Sequence, residues 1–422
     1  MSSLKGKKLL VLGGKAIMKD IVVRAKELGV YTIVIDNRSY EVSPAKQIAN
    51  KYYNISFSDI DKVLELINQE HIDGVLTGFT DSYLEYYKEI CEKGGLPCYG
   101  GSHQFKIATD KSAFKKACVD AGVPVIPGRE VTTLEEAKKE AEKHGYPVIL
   151  KPADNSGSRG VVKCIDEKNI DDAFSYAMSF SSIGVVIVEK FMDCENIATS
   201  YFAANGDVRL TTTCERKLHI SEDTGSSITS YTLYPSKYTD RYINEVNDAV
   251  IGMLQKNGFN NGMIAFQTFV DNKSFYFCEM CFRPSGGHHY ILIQDQNKVD
   301  EMALLIEFAV SGNCRDSWKL DKETPYFEND CAMVKVIGTT GKVVHRFDGV
   351  DKVSEREEVI KIIPMCNIGD TVGADGTTAQ VLATIWYRCK DGTNPEELAE
   401  DIASDLIIED EQGESIARIS IM

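Results

Sequence analysis

The sequence predicts a mixed α/β and α+β protein, and three observations predict it. Short apolar runs alternate with amphipathic helical stretches through residues 1–105, which is the pattern of a parallel sheet covered by helices on both faces. Longer strands with period-two alternation and a hairpin follow between 184 and 282. From about 325 onward, strands separated by Gly-Asp turns share the chain with one helix at 395–405, the sign of a small α+β unit.

The elements follow in order. Lys8–Leu12 is a strand, 18–28 a helix closed by Gly29, and Tyr31–Ile35 a second strand ending at Asp36. A helix near 59–69, a strand at Gly74–Thr77 and a helix near 82–94 continue the alternation. Ligands of such sheets bind at the carboxyl ends of the strands, here near Gly13, Gly14, Asp36 and 77–81. Asp110-Lys111 opens a helix that runs to about Ala121 and stops at Gly122 and Pro124. Thr133 and Glu136 have capping-box spacing for the helix that Gly145 closes. A helix near 169–180, a strand at Gly184–Val188 and strands through 197–214 come next. Residues 240–257 are helical, strands at 262–271 and 274–282 form a hairpin, and a helix near 298–311 ends at Gly312. The last strands are expected at 331–336, 342–346, 358–363 and 380–387.

The formal charge of −16 argues against nucleic acid or an anionic membrane as a general partner. Any anionic ligand must be held by local cations. No apolar run approaches a membrane span, and Leu9–Leu12 is too short for a signal-peptide core. The twelve cysteines show no framework spacing, so reduced thiols in a cytoplasm are expected.

The chemistry concentrates in three segments. In 147–161, an apolar strand delivers Lys151, Pro152 stops the ladder, and Ser156, Gly157, Ser158 and Gly160 form a loop with little side-chain bulk. Backbone N–H groups of such a loop can approach phosphate oxygens, with Lys151 and Arg159 adding charge. The strand 184–188 runs into Glu189-Lys190-Phe191-Met192, a hinge suited to gripping a flat heterocycle, with Glu195 within reach of a ribose hydroxyl. Taken alone, the segment reads better as a strand end with solvated charges.

On Phe275–Arg283, alternation places Phe275, Phe277, Glu279, Cys281 and Arg283 on one face, and Tyr276, Cys278, Met280 and Phe282 on the other. Glu279 in so apolar a strand needs a partner. With Gln267 on the neighbouring strand it offers oxygen ligands suited to Mg²⁺. Arg283 and Ser285-Gly286-Gly287 can hold a transferring phosphoryl group. Cys278 and Cys281 are expected to point to opposite faces, which argues against zinc or a disulfide. His288-His289 reads as a pocket wall or a surface turn. Arg216-Lys217 suits an anionic substrate, and the Ser/Thr/Gly-rich stretch Ser221–Ser230 reads as a gating loop.

Asp110-Lys111, the Lys151 strand with its Gly/Ser loop, Glu189-Lys190-Phe191, Glu195, Gln267 and Glu279-x-x-x-Arg283 occur in the order seen in the ATP-grasp superfamily. The chain resembles its carboxylate–amine ligases, akin to carbamoyl-phosphate synthase, biotin carboxylase and L-amino acid ligase. The resemblance implies a pre-ATP-grasp domain at 1–108, an ATP-grasp domain at 109–322 with a lid at about 124–193, and a C-terminal α+β domain at 323–422. It implies ATP and Mg²⁺ (or Mn²⁺) as cofactors. Lys111, Lys151 and 156–160 would lie on the phosphates, Glu189 and the 190–192 backbone on adenine, and Glu195 on the ribose. Gln267 and Glu279 would hold the metal, Arg283 would meet the acyl phosphate, and Arg216 with Ser285–His288 would line the substrate pocket. Small carboxylate and amine substrates and a homodimer are implied partners. The family usually has a carboxylate at position 267 and an asparagine at 281, so a non-catalytic ATP-binding protein is the alternative. A dinucleotide-dependent oxidoreductase is a further one, since Asp36 ends the second strand, although Gly13-Gly14-Lys15 lacks the three-glycine spacing.

Overall fold

The computed structural model describes residues 4–154, 159–222, 225–389 and 392–421. The N-terminal unit is a parallel sheet of strands β1 (Lys8–Leu12), β2 (Tyr31–Ile35), β3 (Lys51–Tyr53) and β4 (Gly74–Leu76), in the order β3-β2-β1-β4. Leu9–Leu12 are fully buried, because both faces of the central strand are covered, as an unbroken apolar run requires. Helices Lys19–Glu27, Ile60–Glu70 and Leu84–Gly94 lie close to the predicted positions. Asp59 caps the second by accepting the Lys62 N–H.

Strands β5 (Gly128–Val131), β6 (Val148–Pro152), β7 (Val162–Cys164) and β8 (Val186–Lys190) form an antiparallel sheet in the order β5-β8-β6-β7. Helices Leu134–His144 and Ile170–Ser179 pack on it. Thr133 and Glu136 make the reciprocal capping box read from the sequence. This unit has a hydrophobic core of its own, drawn from residues between Val131 and Val188. The ladder ends at Pro152 as expected: it is the last residue of β6, opposite Val186, where a missing N–H costs little.

The remaining strands are β9 (Glu195–Ala204), β10 (Asp207–Ile220), β11 (Ser227–Tyr234), β12 (Gly262–Val270), β13 (Phe275–Phe282), β14 (Cys331–Gly338), β15 (Arg346–Asp348), β16 (Val359–Pro364), β17 (Val381–Arg388), β18 (Ile407–Glu409) and β19 (Ala417–Ile419). One sheet runs β13-β12-β9-β10-β11-β14-β17-β16, with β19 also on β14. It joins strands on both sides of residue 323. Its register sets two rows two residues apart: Gln267 pairs with Glu279 and Ala198, and Ala198 with Cys214, while Arg216 pairs with Thr232, Thr232 with Met333, Met333 with Trp386, and Trp386 with Lys361.

Four expectations are corrected. Gln267 opposes Glu279 while Thr268 opposes Phe277, so Cys278 is the extra residue of a β-bulge. The bulge breaks the alternation: Phe275, Phe277, Met280 and Phe282 are buried together, whereas Cys278, Glu279 and Cys281 lie on the more open face. The two thiols therefore do not diverge; both are free. His288-His289, read as a pocket wall or a surface turn, is not a surface turn: buried His288 caps a helix His289–Gln296. Residues 227–230 of the expected gating loop belong to β11, and the Ser221 N–H donates to the Ser226 carbonyl at 2.8 Å, while residues 223 and 224 lie outside the described residues. Of the predicted 342–346 strand only Arg346 falls in β15; Val343 makes an isolated bridge to Thr371.

Candidate functional site

Lys111 is the first residue of helix Lys111–Val119, whose N-terminus Asp110 caps by accepting from Ser112 and Ala113. One turn on, Lys115 projects from the same side and donates to Glu189 at 2.9 Å. From β6, Lys151 reaches the other oxygen of Glu189 at 2.6 Å. Glu189 and Lys151 are both buried. Burial alone would raise the Glu189 carboxyl, but Lys151 and Lys115 outweigh it and hold it below the usual range. Burial first, then the charge of Lys151, depresses Lys111, with Glu279 opposing. Lys111, Lys115, Glu189 and Cys278 line one small cleft. Lys151 and Glu279 do not line that cleft, but both lie within electrostatic reach of Lys111. Glu189 itself is spent as the counter-ion of Lys115 and Lys151, which sets its side chain against the adenine role expected of it. Lys115 was missed; its i+4 spacing from Lys111 was the available signal.

Of the phosphate loop, Ser156, Gly157 and Ser158 lie outside the described residues. Gly160 has φ +76°, and a Cβ there would come within 2.6 Å of Phe180 Cβ, so both backbone and space demand glycine. At the hinge, Lys190 N–H donates to the Pro127 carbonyl and Phe191 N–H to that of Pro147, while Lys163 sits 3.6 Å over the Phe191 ring. Glu195 begins β9 and accepts from Lys237 and Tyr238 at 2.9 and 2.8 Å. These bonds outweigh partial burial and lower its carboxyl.

Across these two rows, the Gln267 amide, oriented to satisfy both neighbours, donates to Glu279 at 2.9 Å and accepts from Arg216 at 3.3 Å and Asn196 at 3.1 Å. Its carbonyl oxygen therefore faces Arg216, not the Glu279 carboxylate, which leaves Glu279 as the carboxylate open to solvent. Arg216 is fixed by Thr229 and by Asn196. Lys217 points to the opposite face and pairs with Glu396 at 2.5 Å, so the predicted cation pair is split by strand alternation. Among the described residues no cluster of three or more His, Cys, Asp or Glu could enclose a metal ion. Burial raises the Cys281 thiol to about 11, which makes it a poor ligand for a hard cation.

Arg283 closes the cleft from the N-terminal side. It binds Asp81 bidentately at 2.6 and 2.7 Å and donates to the Pro284 carbonyl at 3.1 Å. Phe79 N–H donates to the same carbonyl at 2.9 Å, and the Phe79 ring stacks on His288 at 5.1 Å. Phe79 and His288 both have positive φ, 64° and 51°, a strain that non-glycine residues hold only where the surroundings impose it. Beyond them, Asp20 accepts from Tyr290 at 2.6 Å and lies 3.2 Å from both His288 Nδ1 and Lys361 Nζ. His289 is packed against Tyr234 Oη at 2.8 Å. Burial, then Arg216, pulls His289 down to about 3, so it is neutral. Ser285, Gly286 and Gly287 form the turn between Arg283 and His288, closed by the His288 N–H to the Ser285 carbonyl. Asp36, the feature behind the oxidoreductase reading, is occupied: it accepts from Gly14 N–H at 2.7 Å and from Arg38.

Residues 110–289 match the family described as carbamoyl-phosphate synthase L chain, ATP binding domain. Over those residues the chain carries an ATP-binding domain of the ATP-grasp kind, and it is similar to ATP-dependent enzymes of that superfamily. It is 29% identical over 289 residues to a formate-dependent phosphoribosylglycinamide formyltransferase of Bacillus velezensis, covering 66% of this chain and 71% of that one. In fold it is similar to the biotin carboxylase domain of Hydrogenobacter thermophilus 2-oxoglutarate carboxylase, solved with MgADP and bicarbonate (TM-score 0.79, 19% identity, 96% and 91% coverage). It is also similar to phosphoribosylglycinamide synthetase from Anaerococcus prevotii (TM-score 0.77, 18% identity, 95% and 99% coverage). The expected superfamily and fold class therefore stand. Among the described residues no helix is long and apolar enough to cross a membrane.

Proposed function

We propose that ATP is cleaved in the cleft between Lys111, Lys151 and Glu279, and that its γ-phosphoryl passes to a small carboxylate which an amine then attacks. The observation that carries this is the convergence of two phosphate-type lysines and an open carboxylate from three separate elements, with Lys111 feeling the charges of both Lys151 and Glu279. Mg²⁺ fits the donor set: Glu279 offers one hard, accessible oxygen pair, and Mg²⁺ commonly takes one or two carboxylates with phosphate and water for the rest. Bound there, it would neutralise phosphate charge. Gln267 serves as a strut between Glu279 and Arg216. The lysines hold the phosphate oxygens, the 190–192 backbone meets the adenine edge, and Glu195 the ribose. Positioning and charge neutralisation then supply most of the rate, as in phosphoryl transfer generally. The twelve free cysteines support a reducing cytoplasm, and a homodimer, the state printed for the Hydrogenobacter domain, is the assembly we expect.

The test is to incubate the protein with ATP, Mg²⁺ and pairs of small carboxylates and amines, following ADP and phosphate. Release that needs both partners is expected, and Glu279→Gln should lower it by about two orders of magnitude. Failure to bind ATP by titration calorimetry would overturn the reading. Binding without turnover across a broad panel would favour a non-catalytic protein, to which Cys281 and the turned-away carbonyl of Gln267 point.

A further inference from the structure

Cys91 and Cys98 lie on either side of one turn. Cys91 sits in the last turn of helix Leu84–Gly94, where its carbonyl accepts the Leu96 N–H at 2.9 Å. That bond, with Gly95 in the left-handed region at φ +63°, folds the chain back over the helix end. The Tyr99 N–H is then held by Tyr87 Oη at 3.2 Å, and the two rings stack at 4.8 Å. The strap so formed sets Cys98 against the helix. Its thiol donates to the Gly100 carbonyl at 2.9 Å and is hydrogen-bonded to the thiol of Cys91, with the Tyr87 hydroxyl on both sulfurs. Both thiols are free. Cys91 is fully buried, whereas Cys98 keeps part of its surface open. The hydrogen bond from Cys91 holds the Cys98 thiol below the ordinary cysteine range despite burial, and the same bond pushes Cys91 up. A reachable, more acidic thiol beside a buried one is the arrangement of an oxidisable cysteine and its resolving partner. The strap also touches the proposed site. Tyr99 meets Phe282 edge-on at 5.0 Å, and a Cβ on Gly100 would come within 2.6 Å of the Phe282 ring. Phe282 directly precedes Arg283, which pairs with Asp81.

We propose that Cys91 and Cys98 form a reversible disulfide that slows turnover at the site, with hydrogen peroxide or a related small peroxide as the oxidant. This regulation rests on the ligase reading. The Cys98 thiolate attacks one peroxide oxygen and the O–O bond breaks. Cys98 becomes a sulfenic acid, and the other oxygen takes up protons and leaves as water. The Cys91 sulfur then attacks that of Cys98. The S–S bond forms, the S–O bond breaks, and a second water departs with the Cys91 proton. In sum the two thiols lose two electrons and two protons, and the peroxide is reduced to water. The sulfurs must close to about 2 Å, nearer than hydrogen-bonded thiols, so the strap shifts on the helix. A contact as close as Gly100 on Phe282 passes that shift to Arg283, because packed interiors transmit strain.

The experiment uses the full, reduced chain, treated with hydrogen peroxide and afterwards with dithiothreitol. Peptide mass spectrometry should find Cys91 joined to Cys98, and hydrogen exchange in 281–284 should change. ATP turnover with a carboxylate and an amine should fall about tenfold, as for a misplaced site residue. Dithiothreitol should reverse all three. Cys98→Ser, at the partly open position, should keep its turnover before and after peroxide. Cys91→Ala should stall Cys98 as a sulfenic acid that dimedone traps. Absence of the Cys91–Cys98 link, a link that leaves exchange in 281–284 unaltered, or equal inhibition of Cys98→Ser would overturn the switch. A reduced chain that turns over no ATP would sink the ligase reading, while the link and the exchange still decide whether the strap switches.

Discussion

Glu189 shows how one buried carboxylate can hold two lysines, Lys115 and Lys151, in place. With Lys151 on one oxygen and Lys115 on the other, it repays the desolvation of both ammonium groups. Its removal should be felt as stability. Glu189→Gln leaves Lys151, 9% exposed at its side chain, without a counter-ion, and breaking such a pair costs about 3 kcal/mol. Adding Lys151→Met to Glu189→Gln should recover part of that loss, since no lone charge then remains buried. Urea unfolding of the wild type, the single and the double variant measures this; a single variant as stable as the wild type would refute the pairing argument. The residue scale is also where sequence reading fell short. Arg216 and Lys217 are adjacent letters, but strand alternation sends one to the site and the other to Glu396.

Elements were legible where local chemistry decides them. The Asp110 cap, the Thr133–Glu136 capping box and the Gly312 terminus each satisfy or end a helix by themselves. The bulge at Cys278 was not legible, because it depends on the partner strand's register. The helix His289–Gln296 was missed because it is apolar around most of its surface, with Tyr290–Ile293 all buried, so no amphipathic period betrays it. Another element-scale feature is the start of helix Glu301–Ser311. Glu301 and Glu323 share a buried site where burial pushes Glu323 up to about 8 from the usual 4.5 and raises Glu301 as well. One Glu323 oxygen accepts from Asn297 at 2.6 Å and the other has no partner. The folded state thus binds a proton more tightly than the unfolded chain, so stability falls as pH rises from about 4.5 through about 8. Glu323→Gln should flatten that slope and gain roughly 2 kcal/mol at the alkaline end. Thermal melts at pH 5, 7 and 9 decide it, and an unchanged slope in the variant would discard the proton-sharing account.

At the scale of the whole molecule, the site is a product of one sheet and two additions. The sheet from β13 to β16 sets Glu279, Gln267, Arg216, Lys335, Trp386 and Lys361 along one face. The unit of β5–β8, with its own core, carries Lys151 and Glu189 over one end. The N-terminal unit is fastened over the other by Arg283 on Asp81, by Phe79 on Pro284 and His288, and by Asp20 on Tyr290. Of these, Arg283–Asp81 is a bidentate ion pair. The guanidinium side chain is 12% exposed and Asp81 36%, so solvent screens part of the pair and Asp81→Ala should cost about 2 kcal/mol. The loss should be local. Hydrogen exchange should quicken in 78–84 and 284–290, where the two loops meet, while the β9–β12 amides keep wild-type protection. ATP affinity should change little, because Lys151, which we propose holds the nucleotide, is anchored by Glu189 rather than by the Arg283–Asp81 pair, whereas turnover should fall with the disordered substrate wall. If exchange in 78–84 were unaltered in Asp81→Ala, the N-terminal unit would be held by its apolar contacts, and Arg283 would be free to turn toward the transferred phosphoryl group.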